Sequence, residues 1–296
     1  MTTALQPTTW QLGDLPLNAR DDTGVEWIIT AEAGWWSAPP RRIHHTEVPY
    51  ADGALRTRSY ARPRVITFEG AVIAPTRPEL DRQLSRLAAL CTLGGLETLT
   101  DGTYTTEVEV SDSPDIVRLN STSAKFQLTV IAPDPKKYAG PQMFSTPLAA
   151  ATGGLDWATG GGLDWATGGG LDWGLVTSIG QLTIENPGTA ETWPVFTISS
   201  GSGTVTNPRI RAISLGREIT YGGVLGSSST VTLTVDPLNR TVLANGTVDQ
   251  RALLTSAQWF AIPPGESVTI AYSADAATGG STTDSLLTAT LRPAYW

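Results

Sequence analysis

Two adjacent histidines, His44 and His45, are the whole imidazole complement of this chain, and Cys91 is its single thiol. Neighbouring residues of a strand point to opposite faces, so the two rings could not grip one metal together. No His-Glu-x-x-His is present, and no serine lies in a Gly-x-Ser-x-Gly turn. No glycine precedes a lysine, which removes the phosphate-cradling P-loop, and the Gly-x-Gly-x-x-Gly dinucleotide turn is missing. One cysteine excludes a disulfide scaffold and a cysteine-ligated metal site. Paired carboxylates for glycoside hydrolysis need only spatial proximity, so that chemistry stays open. Acids such as Glu107 and Glu109 read as solvated strand positions. No catalytic residue, metal site or cofactor is expected.

The one local charge cluster is basic. Arg41, Arg42, Arg56, Arg58, Arg62 and Arg64 surround the segment Pro39–Pro63 in a chain of net charge -8. Arginine suits fixed, bidentate pairing with carboxylates. The cluster reads either as a solvated arm or as a contact surface for an acidic neighbour, which in a self-assembling acidic protein is the next copy of itself. Nucleic-acid contact is a third reading. The overall acidity argues against general nucleic-acid binding, because phosphate neutralisation needs a basic surface.

Something must position these residues. At 296 residues the chain is long enough for roughly two domains of about 150 residues. It holds 30 glycines and 20 prolines, and charged residues are only 16%. That mixture suits a β-rich, turn-rich protein. The N-terminus has no basic region followed by a long apolar run, so no secretory signal is expected. No stretch approaches the ~20 apolar residues of a membrane-spanning helix. The chain is expected to be made in the cytoplasm.

The first 141 residues read as strands plus one helix. Val65–Ile73 is mostly alternating and β-branched. Thr76-Arg77-Pro78-Glu79 has the form of a capping box. Leu80, Leu84, Leu87 and Cys91 then fall on one helical stripe, and Gly94-Gly95 offers a left-handed exit. The spacing predicts a helix over about 77–93. Leu96–Thr100 and Thr103–Ser111 flank Asp101-Gly102, a pair suited to a type I′ hairpin turn. Ala124–Ile131 gives another alternating strand.

Residues 142–174 are a different material, read as a Gly/Trp-rich linker. Gly-Gly-Leu-Asp-Trp-Ala-Thr-Gly occupies 153–160 and again 161–168, and a shortened copy fills 169–174. Three copies are too few and too glycine-rich for a solenoid. The segment reads as a lengthened linker, or as a strap in which Trp157, Trp165 and Trp173 dock on a neighbouring surface.

From 175 to 296 short strands follow one another. They are expected at Gln181–Asn186, Val195–Ser199, Arg209–Leu215, Glu218–Tyr221, Thr230–Asp236, Thr241–Leu243, Trp259–Ile262, Val268–Tyr272 and Leu286–Leu291, with Val248–Ala257 as a weak helix candidate. Turn signals at this spacing predict an antiparallel sandwich or barrel. The fold class is therefore mainly β: an N-terminal sandwich or barrel-like domain with one helix, a linker, and a C-terminal antiparallel β-sandwich.

The order of several motifs resembles the distal tail proteins of long-tailed, siphovirus-type bacteriophages, particularly those of actinobacterial hosts. Arg62-Pro63-Arg64-Val65-Ile66-Thr67-Phe68-Glu69-Gly70 runs into Pro78–Leu90, similar to that family's strand-then-helix. Phe126–Tyr138 with Ala132-Pro133-Asp134-Pro135 resembles the close of its first domain. The Gly-Gly-Leu-Asp-Trp units look like its inter-domain segment. Asn186-Pro187-Gly188-Thr189-Ala190-Glu191-Thr192-Trp193-Pro194-Val195, Trp259-Phe260-Ala261-Ile262-Pro263-Pro264-Gly265-Glu266 and Tyr295-Trp296 are similar to its later landmarks. The duplicated copies in 153–174 depart from the pattern.

The resemblance implies a structural virion protein without catalytic activity, at the distal end of the tail. Its copies would form a ring, hexameric in this family, joining the tail tube to the tail-tip or baseplate hub around the channel that DNA transits. The N-terminal domains would build the ring and the galectin-like sandwich would project outward. Partners would be other copies, the tail tube protein, the tail-tip hub protein and the tape measure protein, with no membrane. A reading from another class is a carbohydrate-binding sandwich that contacts host-wall glycans, with Trp193, Trp259 or the linker tryptophans stacking on sugars.

Overall fold

The computed structural model describes residues 9–43, 45–48, 50, 52–56, 59–92, 95–151, 163–164, 170–171, 176–201, 203–226, 232–278 and 285–296. The chain forms two compact units, one of Met1–Gly140 with Tyr295–Trp296 and one of Pro141–Ala294.

The N-terminal unit is a strongly wound antiparallel sheet. Its strands run in the order Leu15–Leu17, Trp10–Leu12, Glu97–Thr100, Thr105–Val110, Ser123–Ala132, Arg64–Ile73, Glu26–Ala33. After Leu17 the chain turns and pairs onto the last of these through the Arg20–Glu26 bridge and the bond from Trp27 N–H to Ala19 C=O. The path of strands therefore returns to its start, as in a barrel. The alternation expected for Val65–Ile73 is present in full. Ile66, Phe68 and Val72 are buried, whereas Val65, Glu69 and Ile73 face out. Ser123–Ala132 pairs with Arg64–Ile73 over their whole length, from Ser123–Ile73 to Ala132–Arg64. Trp10 lies edge-on to both Trp35 and Phe68 at 5.1 and 5.0 Å, and Trp27 to Phe126 at 5.3 Å.

The expected helix is Arg77–Thr92. Its buried stripe is rotated slightly from the expected one. Leu80, Gln83 and Leu87 are buried, while Leu84 and Leu90 only edge the core. Gln83 is a polar residue in the stripe; its Nε2 donates to Glu79 Oε1 at 3.0 Å, an atom that also accepts from Arg82, while its Oε1 is buried without a hydrogen-bond partner. The side chain of Cys91 and residues 93–94 lie outside the described residues.

The hairpin after the helix forms, but not through a type I′ turn. Thr100 pairs with Thr105, so four residues make the loop. Gly102 has a positive φ of 87°, and Asp101 is not in the left-handed region that a type I′ turn requires at both central positions. Instead Asp101 Oδ1 accepts the backbone N–H groups of Thr103 and Tyr104 at 2.8 and 2.6 Å. The carboxylate closes the loop, as short polar side chains often do in turns.

The C-terminal unit is an antiparallel sandwich. One sheet orders Gln142–Pro147, Leu286–Leu291, Val195–Ser199, Thr232–Asp236, Thr241–Ala244 and Val248–Asp249. The other orders Gln181–Glu185, Ser267–Ser273, Arg209–Ala212, Arg217–Tyr221 and Leu254–Ala257. Their inward residues, among them Ile184, Phe196, Ile198, Ile210, Leu233, Ile270 and Leu287, make one core. Three expectations are corrected. Residues 142–147, read as the start of the linker, are a sheet strand paired with Leu286–Leu291. The helix candidate Val248–Ala257 is two short strands around a single 3-10 turn, Arg251–Leu253. Trp259–Ile262 is not a strand; it touches the ladder by one bridge, Ile262 to Thr192, because Pro263 and Pro264 follow at once.

A buried polar chain ties the sandwich faces together. The hydroxyls of Tyr272 and Ser285 share a hydrogen bond of 2.7 Å, and Ser285 Oγ also donates to Ser199 C=O at 2.9 Å. Burial pushes the Tyr272 phenol from 10.0 up to about 12, against a smaller downward pull from Ser285. A raised phenol means the folded state holds its proton after the unfolded chain has lost it. Stability is thus intact below pH 10 and falls between pH 10 and about 12. The loss is expected to reach about 2–3 kcal/mol. Tyr272→Phe should flatten that part of the pH–stability curve in denaturant titrations; an unchanged slope would contradict the assignment.

Candidate functional site

The arginine-rich segment leaves the barrel between two strands that are themselves paired neighbours, Glu26–Ala33 and Arg64–Ile73. Residues 34–63 are therefore one long excursion. Arg41–Arg42 pairs antiparallel with Tyr60–Ala61, and His45–Glu47 with Ala54–Arg56. The result is a two-stranded arm that exposes Trp36, Ile43, Tyr50, Leu55 and Tyr60. A lone two-stranded ribbon is marginal in water. One that carries this much exposed apolar surface has the character of an interaction element.

The arm is anchored at its base by a buried group of aromatic rings and cations. Gly34 has φ 100°, and an added Cβ would collide with Val65 C=O, so only glycine fits where the arm departs. Trp35 is fully buried; its indole N–H donates to Asp101 Oδ2 at 3.0 Å, and its backbone N–H to Glu32 Oε1 at 2.7 Å. Arg64, expected in the contact arm, is 1% exposed. Its Nη1 donates to the carbonyls of Gly34, Trp35 and Ser37 at 2.9, 2.9 and 2.5 Å, and its Nε to Pro135 C=O at 2.9 Å. The first three carbonyls belong to the bend at 34–37, which lies outside the ladder, so the guanidinium is drawn inward as their donor. Arg64 is thus an anchor of the arm, and a subunit contact through it is ruled out by its burial.

Lys137 completes the anchor. Its Nζ donates to Trp35 C=O at 3.0 Å and stands 4.5 Å from the Trp36 ring, 5.3 Å from Trp35 and 5.5 Å from Tyr104. Burial, with the nearby Arg64 charge second, pushes its pKa below the ordinary lysine value. Tyr104 in turn lies 4.9 Å from Tyr295, in the last residues of the chain. The sequence reading missed this cluster. The Trp35-Trp36 pair before Pro39-Pro40, and the rarity of lysine, were the available signals.

The other expected site residues divide. Arg41, Arg42 and Arg62 are exposed. The backbone of Arg56 belongs to the outer ribbon. Arg58, His44, Trp157, Trp165 and Trp173 lie outside the described residues. Trp193 is half-buried, and so is Trp259, which packs against the sandwich core. Among the described residues no three His, Cys, Asp or Glu side chains group to hold a metal, and no helix is long and apolar enough to cross a membrane.

Comparisons with known proteins agree with this architecture. Residues 187–283 match the family model of the siphovirus-type tail component, C-terminal domain. No curated protein sequence matches the chain. Among solved structures, the Dit protein of phage SPP1, described as a paradigm of the hub adsorption apparatus in phages infecting Gram-positive hosts, aligns over 97% of this chain and 99% of its own at 13% identity, TM-score 0.66. A chain of the phage P2 baseplate in its activated conformation with Ca aligns over 90% of each chain at 10% identity, TM-score 0.45. The chain has the mainly β fold of the SPP1 Dit protein.

Proposed function

We propose that a chain carrying a siphovirus-type tail component domain, on the fold of a phage hub protein, is a distal tail protein of a bacteriophage virion. It works as a shaped building block and not as an enzyme. Copies close head-to-tail into a ring, hexameric in this reading, that joins the tail tube to the tail-tip hub while DNA transits the centre. The match of residues 187–283 to the tail component family carries the assignment to the tail. The arm supports the ring. It presents exposed apolar and cationic residues on a rigidly anchored base, and a patch that differs from its receptor on the same chain is what a cyclic assembly requires.

Two measurements test this reading. Antibodies raised against the C-terminal unit should label a single end of the tail in negatively stained particles. Label along the tube, or none on particles, would overturn the placement. Separately, replacing Arg41, Arg42 and Arg62 together by serine is expected to weaken the ring by at least about 10-fold in dissociation constant, through lost charge pairs and arm packing. Rings that survive dilution as the unmodified protein does would remove the arm from the contact.

A further inference from the structure

The arm has two faces, and they differ. Arg42 lies opposite Tyr60, Arg41 opposite Ala61, and Arg62 N–H donates to Pro40 C=O at 2.7 Å, which extends the pairing by one step. Alternation then puts Arg42, Tyr60 and Arg62 on one face. Arg41, the other described arginine of this ribbon, turns away and donates to Ser59 Oγ. Arg42 and Arg62 are diagonal neighbours, about 7–8 Å apart at the backbone.

A surface of matching spacing exists elsewhere on the same unit. On the Thr105–Val110 strand, Thr106 and Val108 point into the core while Glu107 and Glu109 point out. Residues two apart on a strand are separated by about 6.6–6.8 Å. Glu107 lies opposite Thr98, and Glu109 opposite the half-buried Ile131. The ion pairs among the described residues are Arg77–Asp81, Arg82–Glu79, Arg118–Asp81 and Arg209–Asp275, and none of them uses the arm's arginines or these two glutamates.

Copies of a chain with net charge -8 repel one another at long range. A local reversal of sign across a contact offsets that repulsion. We infer that the Arg42–Tyr60–Arg62 face of the arm seats on the Glu107–Glu109 strip of the next copy of this chain. The inference rests on the ring reading above and specifies its interface. The two guanidinium groups meet the two carboxylates at nearly equal spacing, and Tyr60 covers the Ile131 side of the strip. Cationic face and acidic strip are different surfaces of one chain, so the contact is heterologous and propagates from copy to copy until it closes.

Charge exchange tests the pairing on the full-length protein, by sedimentation velocity across a concentration series. R42E/R62E and E107R/E109R should each raise the apparent dissociation constant at least about 100-fold, because like charges are then juxtaposed. The four-site exchange should restore assembly to within about 10-fold of the unmodified protein. If each pair assembles normally, the docking is overturned and the ring reading survives. If both pairs disrupt assembly and the exchange does not restore it, the surfaces do not face each other and the inference fails. If the unmodified protein never associates, both readings fall. Should a charge-reversed variant unfold on a thermal scan, R42Q/R62Q and E107Q/E109Q replace it. Each neutral pair is expected to weaken assembly at least about 10-fold, and unweakened assembly again overturns the docking.

Discussion

Arg64→Ala is expected to destabilise the N-terminal unit by about 3–5 kcal/mol while leaving the C-terminal sandwich unaffected. Four backbone carbonyls accept from this one side chain, and for three of them, those of Gly34, Ser37 and Pro135, it is the described donor, while Trp35 C=O also accepts from Lys137. Removing it leaves buried acceptors unpaired and a void where the guanidinium was. Arg64→Lys should recover only part of the loss, because an ammonium can serve the three carbonyls gathered at Nη1 but has no counterpart of the Nε that donates to Pro135 C=O. Lys137 supplies an independent readout. Arg64 lowers its pKa by charge repulsion, so the lysine should titrate higher once the guanidinium is gone. Thermal or denaturant unfolding that resolves the two units, followed by amide exchange at the arm base, measures the effect. A loss below about 1 kcal/mol would mean that the anchor is replaceable by water.

Asn186→Ala should do the complementary damage, about 3–4 kcal/mol confined to the C-terminal unit. The side chain is fully buried. Its Nδ2 reaches the carbonyls of Ala190, Ile262 and Pro263 at 3.0, 3.1 and 3.1 Å, and its Oδ1 accepts Gly188 N–H at 2.9 Å. An amide has two N–H bonds, so one is shared between acceptors. The residue thus joins the Asn186-Pro187-Gly188 turn to the Pro263-Pro264-Gly265 turn, two segments whose prolines cannot supply ladder donors of their own. Asn186→Asp is expected to be nearly as harmful, since a carboxylate accepts where donors are needed. Shifts in urea midpoint at unchanged slope would report both; near-native stability of either variant would show that the turns hold each other without it.

The strands that were legible are those whose two faces differ. Arg64–Ile73, Ser123–Ala132, Val195–Ser199 and Leu286–Leu291 alternate because one side meets the core and the other water. The helix was legible through its stripe and its Thr76–Glu79 start. The elements that escaped each break a local rule for a reason of their own. Leu15–Leu17 carries Pro16, which argues against a strand, yet it stands at one end of the sheet order, where a proline is tolerated. Glu26–Ala33 slips register between Ile29 and Ala31, and the slip scrambles its period. Val248–Ala257 mimics helical spacing but spends it on two ribbons and a tight turn. For the candidate site, the arm was visible as an arginine cluster, but the role of Arg64 was not. A guanidinium goes inside when carbonyls remote in sequence lack donors, and no local pattern records that. Lys137 was invisible for the same reason, since Trp35 lies 102 residues away.

The central claim is that this chain acts by closing on copies of itself. Its most direct test is the native mass of the purified full-length protein, by light scattering or native mass spectrometry at near-physiological salt. The account predicts a single closed species of about six times the 31.3 kDa chain mass, seen as rings by negative stain. A species that stays at 31.3 kDa at every concentration would contradict it.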